Sequence, residues 1–117
     1  MTGESATGHR AMTLVRAPVF VRGIRLGEVE NVLLHSDAPR VLGLDVLCGD
    51  GANRFLPYAA ARLTSTAIEV GNALTLLDQE ELGFYRRRGR TLTSVPELAD
   101  AHVMPDGGLV VRLPARC

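Results

Sequence analysis

The chain has no lysine and no tryptophan. Its aromatic side chains are two tyrosines and three phenylalanines, so a core has to rest on Leu, Val, Ala and Ile. Positive and negative side chains balance at 13 each, which removes the global field that would attract nucleic acid or anionic lipid. Only two cysteines occur, Cys48 and Cys117, and they lie too far apart for a CxxC redox or zinc pair. No run approaches the ~18 consecutive apolar residues of a membrane span. Met1 to Arg10 has no apolar stretch of the kind a secretion signal needs. The expectation is a cytoplasmic chain, with Cys48 a small hydrophobe inside an apolar run; a disulfide to Cys117 is open to it but nothing in the sequence supports one.

With no lysine, every basic residue is arginine. Arginine makes bidentate contacts that lysine cannot, which suggests an interaction surface. Codon usage in a GC-rich genome produces the same bias without any function. What remains is ordinary globular composition, 46% hydrophobic and 22% charged over 117 residues, enough for one domain with its own core.

Residues 1–11 are small and polar at the start and are expected to be a disordered lead. From there to Leu77 short apolar stretches alternate with Gly, Pro, Asp and Asn, the rhythm of strands and tight turns. Pro18 to Val21 is one strand, halted at Arg22-Gly23. Val29 to His35 is a second, with Val32 and Leu34 on one face by period two. Ser36 to Pro39 is turn chemistry. Val41 to Cys48 is a third strand, placing Leu42, Leu44, Val46 and Cys48 on one face and Asp45 on the other. Gly49 to Asn53 is another turn. Arg54 to Pro57 is a strand that ends, or lies at an edge, where the proline falls. Leu63 to Val70 contains a further strand, closed by Gly71-Asn72.

The character changes at Asp78. Asp78 followed by Glu81 fits a capping box and predicts a short helix from Gln79 to about Arg86, although Gly83 weakens it. Pro105 to Gly108 predicts a hairpin turn between Ala101–Met104 and Leu109–Leu113. A faint repeat also stands out. Arg22-Gly23 with Leu26, Val29 and Val32 recurs at the same spacing as Arg88-Gly89 with Leu92, Val95 and Leu98. Either it is chance, or residues 78–117 are a degenerate copy of the first hairpin.

Four segments carry a family resemblance. They read Arg22-Gly23-Ile24-Arg25-Leu26-Gly27-Glu28-Val29-Glu30-Asn31-Val32, then Arg40-Val41-Leu42-Gly43-Leu44-Asp45-Val46, then Arg54-Phe55-Leu56-Pro57 with Ala67-Ile68-Glu69-Val70 closing. In order and spacing the stretch from Val21 to Val70 resembles the PRC-barrel domains. It departs from their pattern at Asn31, where the family more often carries Asp. The resemblance implies an all-β, mostly β fold: a small, strongly bent PRC-type β-barrel over 12–77. Residues 78–117 would add a short helix and a C-terminal β-hairpin packing on it. Such barrels occur in the H subunit of photosynthetic reaction centres and in a ribosome maturation factor, where they bind and assemble and do not catalyse. The family is functionally diverse, so the resemblance names a style of action and not a task.

The residues themselves point away from catalysis. His35-Ser36-Asp37 contains the three residue types of a triad, but neighbours on a turn cannot converge on one point. No HxH or HExxH spacing is present, a P-loop needs the absent lysine, and Gly49-Asp50-Gly51 lacks the ligand series of a calcium loop. No enzyme activity, metal or cofactor is expected. The one concentrated feature is Phe84, Tyr85, Arg86, Arg87, Arg88 and Arg90. Four guanidinium groups beside two rings suit phosphates and stacked bases. They equally suit a solvated helix end complementing its dipole. The expected function is a non-enzymatic interaction module docking on a protein partner, with an RNA- or ribosome-associated factor as the alternative. A homodimer is also expected, because open strand edges and the two-faced tail around Leu109, Val110, Val111 and Leu113 need covering.

Overall fold

A computed structural model describes residues 10–64, 67–72, 75–98, 100–104 and 107–110. Strands β1 (Pro18–Val21), β2 (Ile24–Leu34), β3 (Val41–Cys48) and β4 (Asn53–Pro57) form an antiparallel meander. A 3-10 turn at Tyr58–Ala60 leads into β5 (Ala61–Leu63) and β6 (Ile68–Val70). The strand expected within 63–70 is β6, and β5 pairs antiparallel with it, Thr64 and Ala67 exchanging hydrogen bonds beyond the last pair. β6 then pairs with β1 in parallel, giving the order β4-β3-β2-β1-β6-β5. The sheet is curled into a half-barrel and, with one helix, makes a small all-β fold. Helix α1 (Gln79–Arg88) follows, then β7 (Arg90–Thr91) against the end of β2, and a hairpin of β8 (His102–Val103) and β9 (Leu109–Val110).

The β1–β2 turn is the tightest possible, with Arg22 and Gly23 at φ of 51° and 81°. Positive φ at both central residues matches the strand twist, and Gly23 takes it without strain. Arg22 does not have that freedom and carries the usual cost of a side chain in the left-handed region.

One face of the sheet holds the main core, including Val19, Val29, Val32, Leu34, Leu44, Val46, Leu56, Ile68 and Val70. Each such side chain contributes roughly 1.5–3 kcal/mol by leaving water. The opposite face holds a smaller cluster of Leu33, Phe55 and Leu82, with Leu42, Leu77 and Tyr85 packed on it.

Two bulges decide which side chain joins which cluster. The register slips between Val29 and Asn31, so Glu30 is the extra residue and Val29 shares a face with Val32 despite the odd spacing. It slips again where Leu33 and Leu34 face Gly43 and Val41. Leu42 is left over and turns to the smaller cluster, leaving the face of Leu44 and Val46 on which alternation had placed it.

The C-terminal third contributes to the main core, which runs without a break from Ala11 to Leu109 and includes Leu92, Val95, Leu98, Ala101 and Val103. The spacing of three in Leu92, Val95 and Leu98 is that of consecutive 3-10 turns, Leu92–Ser94 and Pro96–Leu98. Their counterparts Leu26, Val29 and Val32 lie on a strand, so the two segments have different structures and the repeat is one of letters alone. Ala11, placed by sequence in a disordered lead, is fully buried, and its N–H donates to Ala101 O at 2.8 Å. Tyr58 Oη donates to Met104 O at 3.1 Å, and Leu109 N–H to Pro39 O at 2.7 Å. As far as residue 110 the tail thus folds back on its own chain, and Leu109 is covered without a second copy. Residues 111–113 of the expected hairpin lie outside the described residues.

Candidate interaction face on the helix

Helix α1 begins where Asp78 accepts hydrogen bonds from Glu80 N and Glu81 N, both 3.1 Å. Glu80 and Glu81 fill its first turn and Arg86 to Arg88 its last, the arrangement its dipole favours. Gly89 ends it, donating to Tyr85 O at 2.8 Å while lying too close to Leu34 O for any side chain.

The six residues singled out by sequence divide in two. Tyr85 lies flat on Phe55, ring centroids 4.2 Å apart at 12°. Phe55 in turn rests on Gly43, where a Cβ would stand 2.5 Å from the ring. Arg86 pairs with Asp45, which is 2% exposed and also accepts from Asn53 Nδ2 at 2.8 Å. Arg90 donates to His35 O at 3.2 and 3.1 Å and to Ala38 O, clamping the β2–β3 turn. These three hold the helix and its exit to the sheet. Phe84, Arg87 and Arg88 face solvent. Phe84 is 42% exposed, with the Arg88 guanidinium 4.9 Å from its ring centroid. Arg87 lines a shallow groove with Glu80, Glu81, Gly83 and Phe84.

Reading charge runs alone missed this division, because it depends on Asp45, 41 positions before Arg86. The signal was nonetheless present. A carboxylate in the middle of the apolar strand Val41–Cys48 needs a counter-charge from elsewhere. Asn31, the departure from the PRC-barrel pattern, accepts from Val32 N at 2.9 Å and donates to Thr93 Oγ1 at 3.1 Å, so its amide is used at both ends.

The remaining candidates have local roles. His35 Nδ1 accepts the Asp37 N–H at 3.2 Å, which turns that nitrogen to shaping the loop. His9 and Cys117 lie outside the described residues. Asp50 accepts from Ala52 N and, with both carboxylate oxygens, from Arg54 at 3.1 and 3.0 Å. The Arg54 guanidinium first and the Ala52 N–H second hold the Asp50 carboxyl down at about 2. The Asp50 carboxylate likewise raises Arg54 above the usual guanidinium range. Cys48 is a free, half-buried thiol beside them, in a recess floored by Leu26 and Leu76.

No protein-family model matches the chain, and a comparison with curated proteins also gives no match. Among the described residues no helix is long and apolar enough to cross a membrane.

Proposed function

We propose that this chain is a non-enzymatic assembly module of the PRC-barrel type, and that it meets its protein partner through the outward face of α1. The carrying observation is the exposure of Phe84 on a helix that Tyr85, Arg86 and Leu82 fasten to the sheet. A large apolar ring in water on a rigid support is how interface anchors are built. The order of strand motifs along 21–70 and the curled antiparallel meander support the PRC-barrel reading.

The test is a capture experiment with wild-type bait and with Phe84→Ser bait. A stoichiometric partner retained by the first and lost by the second is the expected result. Equal capture by both baits moves the contact off this helix and removes the proposal.

An RNA-binding role is the weaker reading. Arg86 and Arg90 are engaged inside the protein, and Glu80 and Glu81 share the face that Arg87 and Arg88 would offer to phosphates. RNA binding that falls steeply with ionic strength and vanishes in Arg87→Ala/Arg88→Ala would reverse this ranking.

A further inference from the structure

Four charges on the outer side of α1 have no ion-pair partner among the described residues: Glu80, Glu81, Arg87 and Arg88. They cannot satisfy one another within the helix. Glu80 and Arg87 are seven residues apart, as are Glu81 and Arg88, which is two turns and about 10 Å of rise. Yet seven residues returns each pair to nearly the same side of the helix. The two pairs centre on Phe84, the exposed ring, with Gly83 beside it.

We infer that this face is self-complementary, and that two copies of the chain join through an antiparallel pairing of α1 about a two-fold axis at Phe84. The inference rests on the docking role proposed above and names the occupant. A two-fold axis across antiparallel helices brings Glu80 to Arg87 of the second copy and Glu81 to Arg88 of the second copy, each contact made twice. Phe84 meets its own counterpart at the axis, where an aromatic pair gains beyond its buried area. Gly83, with no side chain, lets the backbones approach. A parallel pairing would instead set Glu against Glu and Arg against Arg. An acidic or a basic partner would satisfy one end of the face and be repelled by the other. Only a ligand whose charge runs negative to positive in the opposite direction fits both ends, and a second copy of α1 has that pattern.

A ten-residue helix is about 15 Å long, so the contact falls at the small end of specific interfaces. Association is then reversible and weakened by salt. Sedimentation equilibrium from about 10 µM to about 1 mM covers that regime. Wild type is expected to move from one chain to two across it, and Phe84→Ser to remain single. The deciding pair is Glu80→Arg/Glu81→Arg and Arg87→Glu/Arg88→Glu. Each alone presents four like charges and is expected to be monomeric, while an equimolar mixture forms a heterodimer. Heterodimer formation also shows that both variants are folded. If either variant loses its circular dichroism signature, the wild-type and Phe84→Ser masses decide alone.

Wild type at one chain throughout overturns the inference, as does a wild-type dimer unchanged by Phe84→Ser or a mixture of folded variants that stays monomeric. Phe84-dependent capture of another protein by a monomeric wild type would leave the docking role standing and remove self-pairing. Failure of both experiments removes both.

Discussion

Asp45 and Arg86 contribute unequally to the pair they form. The carboxylate is buried while the Arg86 side chain keeps 48% of its surface, so losing Arg86 strands a charge in the interior and losing Asp45 leaves one already half in water. Arg86→Ala is expected to cost about 2–3 kcal/mol, below the usual figure for breaking a buried pair because one partner is half solvated. Asp45→Asn, which keeps the shape and one acceptor, is expected to cost about 1–2 kcal/mol. Urea denaturation checks the order of the two through the midpoints at constant slope. Asp50 gives a different, pH-dependent signature. Its folded value of about 2 lies below the ordinary 3.8, so its contribution to stability is complete above about pH 4 and is lost as pH falls towards 2. The carboxyl is exposed, so the effect is small and screened by salt. Urea midpoints of wild type and Asp50→Asn should differ above pH 4 and converge below it. A difference that widens on acidification would contradict the Arg54 contact as its cause.

Helix α1 carries both the packing on the sheet and the proposed self-pairing, and one substitution separates them. Gly83 lies on the solvent side, where a Cβ would meet only the flexible end of Arg87, 3.4 Å away. Gly83→Ala is therefore expected to raise stability by up to about 1 kcal/mol while weakening self-association, read by thermal melts and sedimentation on the same sample. The helix itself was legible from Asp78 and Gly89, as were the β2–β3 hairpin and the break at Pro57, because caps, alternation and proline act locally. The bulges at Glu30 and Leu42 were not legible. Each inserts one residue without any marker residue, and the faces beyond it change places. The parallel pairing of Val19 with Ile68 was equally hidden, since it depends on how the whole sheet curls. At the site, the presence of the arginine run was plain, but the engagement of Arg86 and Arg90 required knowing what lay beneath them.

At the scale of the whole molecule, the first described residues meet the last third of the chain. Arg10 pairs with His102, Ala11 with Ala101, and Ala11 and Leu109 share one core. β2, β3 and β4 can pair as soon as they exist, because only short turns separate them. The tail contacts instead join residues far apart in the chain, Tyr58 with Met104, Pro39 with Leu109 and Ala11 with Ala101, and the entropy of the loop each closes is lost before the contact forms. Docking of β8 and β9 is therefore expected late in folding, after the meander has paired. Leu109→Ala is expected to lower stability by about 2–4 kcal/mol, and stopped-flow kinetics should assign nearly all of that to faster unfolding, with the refolding rate unchanged. On that expectation a nascent chain can hold its meander early, while the main core lacks its last cover until residue 109 has been added.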